Sequence, residues 1–149
     1  MQPGKAYHLG GFTVQPFELV HDVHNFGYYI KHKEFGKLLF ITDTKYVPQD
    51  FSGLNVNHVL VECNHSKELV DSYHYSLMKR VRNTHMELET CKSFIESINN
   101  ENLTNICLIH LSETTGDSDL FKDTIRNVTT SNVLVASGGV EFEIGLEPF

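Results

Sequence analysis

The sequence predicts an α/β protein: one mixed β-sheet with helices packed on one face. Three observations carry this. Continuous apolar segments, Leu38-Leu39-Phe40-Ile41 and Ile106-Cys107-Leu108-Ile109, read as central strands covered on both sides. Leu88, Cys91, Ile95 and Ile98 repeat at helical spacing and form one apolar stripe. Strand-like segments come first, then helices alternating with strands. The 149 residues suffice for one packed core, and no repeat, low-complexity tract or linker divides them, so residues 1–149 read as a single domain.

Taken in order, Phe12 to Leu19 is the first strand, and Pro16, which has no N–H for a ladder, places it at an edge or bulge. Gly27 to Lys31, Leu38 to Thr42 and His58 to Glu62 follow as strands rich in β-branched and aromatic residues. Ser66-Lys67-Glu68 opens a helix predicted to run from Ser66 to Met78. The helix carrying Leu88 to Ile98 stops at Asn99-Asn100, and a strand from Ile106 to His110 comes after it. Ser118 to Val128 is the next helix, with Phe121, Ile125 and Val128 on one side. The acidic residues Glu113, Asp117 and Asp119 suit its N-terminal turn. A last strand pair, Val133 to Val135 and Val140 to Ile144, is expected around a Gly138-Gly139 hairpin turn. Helices on one face leave the other bare, and apolar strands such as Leu38 to Ile41 do not tolerate water there. The C-terminal segment, a second copy or another chain is expected to cover it.

Composition narrows the function. Twelve Lys and Arg against 19 Asp and Glu give a net charge of −7, the wrong sign for broad, sequence-blind binding of nucleic acid. No window approaches the roughly 18 apolar residues of a membrane span, so no membrane partner is expected. Met1-Gln2-Pro3-Gly4-Lys5 has no apolar stretch after its lysine, which gives the cytoplasm as the expected compartment. The cysteines Cys63, Cys91 and Cys107 are widely spaced in apolar surroundings and read as reduced core thiols. Nine histidines outside any His-rich tract are a reason to look for metal. His8, His32, His58 and His74 lie in polar contexts and read as surface or turn residues, whereas His24 and His65 lie near the candidate site.

That site is where apolar strands run into polar residues at their C-terminal ends. Val20-His21-Asp22, Ile41-Thr42-Asp43 and Ile109-His110-Leu111 each do so. Strands that end together would bring His21, Asp43 and His110 together, a nitrogen and oxygen donor set suited to Zn²⁺, Mn²⁺ or Fe²⁺. Each residue alone also reads as a cap or turn.

Val20-His21-Asp22-Val23-His24-Asn25-Phe26-Gly27-Tyr28, Ile41-Thr42-Asp43-Thr44, Leu60-Val61-Glu62-Cys63-Asn64-His65, Thr84-His85 and Ile109-His110-Leu111-Ser112 follow one another along the chain. They resemble the successive motifs of the C-terminal half of the metallo-β-lactamase superfamily. The likeness is greatest to its nucleic-acid-processing branch, with tRNase Z-like and RNase J-like enzymes and small bacterial and phage relatives. The resemblance implies a metal-dependent phosphodiesterase or nuclease using zinc or another divalent metal such as manganese. It implies His21 as a ligand of a first metal, Asp43 as a bridging carboxylate and His110 as a ligand of a second. His85 would be directed at the scissile phosphate, with Glu62 orienting it. His85 is expected at the start of the helix bearing Leu88, where the helix N-terminus would keep its ring neutral. The family's His-x-His-x-Asp-His loop would precede Gly10 and has no counterpart here. The implied fold is therefore half of an αββα sandwich, inactive or weak alone, whose partner is a homodimer mate or the missing N-terminal half. A nucleic-acid end or a small nucleotide is the implied substrate. A diverged, non-catalytic protein acting by self-association or partner binding and a small cyclic-nucleotide phosphodiesterase remain as alternatives.

Overall fold

A computed structural model describes residues 1–71 and 75–146. Its seven strands are β1 (Tyr7–Leu9), β2 (Phe12–Glu18), β3 (Phe26–His32), β4 (Gly36–Ile41), β5 (His58–Glu62), β6 (Asn105–Ile109) and β7 (Asn132–Val135), and they lie side by side in chain order. β1 to β4 pair antiparallel and β4 to β7 pair parallel, so the sheet is mixed. Each parallel step needs a right-handed crossover. Because successive steps all move the same way across the sheet, the crossovers fall on the same side. The helices α1 (Lys67–Asp71), α2 (Tyr75–Thr84), α3 (Leu88–Ile98) and α4 (Ser118–Arg126) accordingly flank one face.

Against that face the strands present Leu39, Ile41, Val59, Val61, Ile106, Leu108 and Val133, which form one core with Cys91, Ile95 and Ile98 of α3 and Phe121 and Ile125 of α4. The stripe read from the sequence is thus the buried side of α3. Asp117 caps α4 by accepting the N–H groups of Asp119 and Leu120, the structural role expected of that acidic cluster. All three cysteines are buried and free.

The opposite face follows from strand register. Tyr28, Phe40, Leu60, Cys107 and Leu134 lie in one row across the sheet, and Ile30, Leu38, His58 and Asn105 in the next. Leu38, His58 and Cys107 are buried, while Tyr28, Ile30, Phe40, Leu60 and Leu134 stay partly exposed. β4 is therefore drier within one chain than its composition suggested.

Several expectations are corrected. β1 was not anticipated; it covers β2 only opposite Phe12 to Val14, so Pro16 lies where β2 is itself the edge. Val140 to Ile144 forms no strand. After a turn in which Val140 N–H bonds Ser137 O, the segment leaves β7 and runs to the β3–β4 turn, where Leu146 N–H bonds Glu34 O. Gly138-Gly139 is a turn but joins no strand pair. Of the helix expected from Ser66 to Met78, α1 covers Lys67–Asp71 and α2 begins at Tyr75, while residues 72–74, His74 among them, lie outside the described residues. His58 is fully buried, its Nδ1 within 3.1 Å of Thr104 Oγ1 and 3.2 Å of Asn105 Nδ2. His32 stacks on Phe12 with ring centroids 4.5 Å apart and is only partly exposed, whereas His8 is exposed.

Gly27 pairs across the ladder with Phe17, whose ring occupies the space that a Cβ at Gly27 would fill. Gly27→Ala should cost about 1–3 kcal/mol by overpacking. The check is the urea midpoint of the variant; an unchanged midpoint would show that the Phe17 ring moves aside freely.

Candidate metal centre

β2, β4, β5 and β6 all run the same way, because β2 and β4 are each antiparallel to β3 and β4 to β6 are mutually parallel. Their C-terminal ends therefore meet at one edge of the sheet. His21 follows β2, Asp43 follows β4, Glu62 is the last residue of β5, and His110 comes directly after β6.

The five predicted side chains converge there. Glu62 is completely buried. Its Oε1 lies 2.6 Å from His85 Nδ1 and 3.0 Å from His110 Nδ1, and its Oε2 accepts the Thr44 N–H at 2.7 Å. His110 Nδ1 is also 3.5 Å from Asp43 Oδ1. The His85 ring stands between the other two imidazoles, its centroid 5.4 Å from that of His21 and 5.1 Å from that of His110. Potential ligand atoms of His21, Asp43 and His85 lie within 4.8 Å of one another, as do those of Glu62, His85 and His110. His21, Asp43 and His110 do not by themselves form such a group; His85 joins the two halves of the cluster.

Backbone conformation marks the same place. Asp43 and His110 have φ of 54° and 57°, the left-handed region that side-chain-bearing residues seldom adopt. Both are held by asparagines: Asn25 Nδ2 donates to Asp43 O at 2.7 Å, and Asn64 Nδ2 donates to His110 O at 2.7 Å. His21 Nδ1 accepts the Val23 N–H at 3.3 Å and lies 2.8 Å from the Asp22 carboxylate, which in turn accepts from Arg80 Nε at 3.1 Å. The Arg80 hydrogen bond keeps the Asp22 carboxyl below its ordinary range. His21 Nε2 is buried without a hydrogen-bond partner, which costs stability unless something pairs with it. Imidazoles, carboxylates and an orphaned ring nitrogen fit a divalent cation.

Burial pushes the Glu62 carboxyl up to about 8, assisted by the Asp43 charge and opposed by the Thr44 N–H. Burial, then His110, lowers His85. This lowering comes from burial and a neighbouring imidazole, not from the helix N-terminus expected to act on His85. His85 does not open α3; it follows the last residue of α2, and its N–H bonds back to Val81 O. Glu87 is the cap of α3.

Sequence reasoning missed the roles of Asn25, Asn64, Thr44 and Asp22. All lie inside the quoted motifs, but Asn25, Asn64 and Thr44 act through hydrogen bonds to residues 18 to 46 positions away, and Asp22, beside His21, is itself held by the distant Arg80. His65, beside the site as expected, is almost fully buried, while His24 is exposed.

Burial pushes His65 down to about 4, with the charges of His85 and Arg82 acting the same way. Its folded value lies below its unfolded one near 6.5, so the stability it contributes is complete above that value and is lost as pH falls through about 4. The loss amounts to at most about 3 kcal/mol. Urea unfolding at pH 7 and pH 4 should show a smaller pH dependence for His65→Gln than for the native chain; equal dependence would place the acid sensitivity elsewhere.

No known family profile and no curated protein matches the chain. Solved structures do. The metallo-β-lactamase fold protein YhfI from Bacillus subtilis aligns with a TM-score of 0.71 at 20% identity, over 94% of this chain and 52% of that one. The short form of human tRNase Z aligns with a TM-score of 0.62 at 17% identity, over 93% and 44%. A metallo hydrolase from the archaeon Ignicoccus hospitalis aligns with a TM-score of 0.63 at 15% identity, over 96% and 60%. The chain thus spans about half the length of the structures it matches. The sheet and its one-sided helices therefore have the arrangement of about half of a metallo-β-lactamase fold.

Proposed function

We propose that this chain is the C-terminal half of a metal-dependent phosphodiesterase of the nuclease type. In it, His21, Asp43 and His110 hold zinc or another divalent metal, and His85 and Glu62 act on the substrate. The observation that carries the reading is the convergence of these five residues at one sheet edge, with Asp43 and His110 both in the left-handed region.

A bound divalent metal would polarise a phosphoryl oxygen and lower the pKa of water. The chain's own residues would handle the proton. Glu62, anchored by the Thr44 N–H, holds His85 through Nδ1 and leaves the other ring nitrogen for an oxygen of the phosphodiester. A buried carboxyl raised to about 8 and a lowered imidazole in contact can share one proton near neutral pH. The net charge of −7 favours a small nucleotide or a nucleic-acid end over a long strand.

The partly exposed row of Tyr28, Phe40, Leu60 and Leu134 supports a second layer on the sheet, supplied by a companion N-terminal half or by a second copy. The share of each matched structure left uncovered favours the companion half.

Metal content after equilibrium dialysis against zinc tests the ligand set. The native chain and His85→Ala should retain metal, whereas Asp43→Asn and His110→Ala should lose it; equal retention by all four, or loss of metal by His85→Ala, whose ring lies in both candidate ligand groups, would refute the assignment. The chain alone should hydrolyse bis-p-nitrophenyl phosphate far more slowly than about 1 s⁻¹, an ordinary enzymatic rate. With a companion half supplied, His85→Ala should lower kcat by roughly 10²–10⁴, the range for loss of an acid or base. Full turnover by the isolated chain would remove the need for a second layer.

A further inference from the structure

Residues 140–146 alternate apolar side chains with Glu141, Glu143 and Gly145, the pattern of a half-buried strand, yet they pair with no strand of this chain. The segment starts beyond β7, whose C-terminal end lies at the same sheet edge as the cluster because β4 to β7 are parallel, and it finishes at the β3–β4 turn on the opposite edge. The side it takes is the one without helices. Gly36 shares its side of β4 with Leu38 and Phe40, and a Cβ there would meet Asn57 and, at 3.0 Å, Leu146 Cδ2. Phe142 and Ile144 are partly buried while Glu141 and Glu143 are exposed, so the segment lies on the open face with its apolar side down.

Its backbone is open on both flanks. Among the described residues, Val140 N–H bonds Ser137 O and Leu146 N–H bonds Glu34 O, and no N–H or C=O from Glu141 to Gly145 pairs with another backbone group. An extended segment anchored on an apolar face, with both rows of N–H and C=O groups unpaired, is a template for a further strand. Charge identifies the strand that fits. Antiparallel pairing sets residues of the same side opposite one another, so a second copy paired over the full segment would oppose Glu143 to itself. The net charge of −7 on each chain adds to that repulsion. A strand alternating apolar with basic residues meets both sides. Its apolar residues extend onto Tyr28, Phe40, Leu60 and Leu134, which are partly exposed, and its basic ones lie beside Glu141 and Glu143.

We infer that residues 140–146 are a strand of the proposed second layer, and that the companion chain joins this one by adding to them an edge strand of alternating apolar and basic residues. The inference rests on the second layer of the proposed function, and on neither the metal nor the reaction.

The test uses the full chain without metal and short probe peptides. A peptide alternating valine and lysine should shift the backbone ¹H–¹⁵N signals of Glu141 to Gly145 and slow their hydrogen exchange. One with the same residues in two blocks should do neither, and one alternating valine and glutamate should bind roughly tenfold more weakly, the effect of two cross-strand charge pairs. Glu141→Lys combined with Glu143→Lys, both at exposed positions, should reverse that preference. Equal effects of the alternating and blocked lysine peptides, no shifts at millimolar peptide, or a native chain that dimerises in light scattering with Glu141 to Gly145 protected would each overturn the inference. Docking along β1 or β7, the outer strands of the sheet, would also overturn it while leaving a second layer in place. Strand addition at these residues in a chain that takes up no zinc would uphold the inference and sink the metal reading instead.

Discussion

A carboxylate sealed from water organises the edge of the sheet where the strand ends meet. Glu62 is wholly buried at the end of a central strand, and its two oxygens receive a backbone N–H from the segment after β4, an imidazole from the α2–α3 connection and an imidazole from the end of β6. In that setting a lone charge would be heavily penalised, and the carboxyl responds by holding its proton up to about pH 8. Its contacts tie three separate chain segments together, so the position of each imidazole is set by the others.

The same edge stores backbone strain. Asp43 and His110, neither of them glycine, adopt the left-handed conformation immediately beyond their strands, and each is clamped through its carbonyl by an asparagine from elsewhere in the chain. Strain of order 1–3 kcal/mol per residue persists only where neighbours over-determine it. Here the clamps come from Asn25, just before β3, and Asn64, just after β5. Turning the chain sharply at a strand end directs the Asp43 and His110 side chains toward one another, which a continued strand would not do.

How much of this could be read from the sequence depends on how local the cause is. The runs Leu38 to Ile41 and Ile106 to Ile109 declared their strands because burial on both faces demands apolar residues at every position. Leu88 to Ile98 declared α3 because one apolar stripe is its packing surface. β1 did not, since Tyr7 to Leu9 is exposed and is a strand only by pairing with Phe12 to Val14. Val140 to Ile144 has the alternation of a strand, yet alternation needs a partner edge and this segment is drawn to Glu34 instead. Thr84 resembles a helix cap, but its hydroxyl bonds back to Arg80 O within α2, and that bond places His85 after one helix rather than at the start of the next. The strand-end positions of His21, Asp43, Glu62 and His110 were visible. The asparagine clamps were not, because they span 18 and 46 residues.

The two faces of the sheet divide the work of the molecule. Against the helices, Leu39, Ile41, Val59, Val61, Ile106 and Leu108 are fully enclosed, and this layer supplies the apolar burial that stabilises the fold. Across the sheet, Phe40, Leu60 and Leu134 retain part of their exposure. The clustered side chains sit at the edge between these faces, yet the contacts that fix them come from within the chain: Thr44 and the imidazoles on Glu62, Asp22 on His21, and asparagines on Asp43 and His110. Their arrangement therefore does not wait for a second layer. A partner settling on the half-dry face would meet a cluster whose members already hold one another in position.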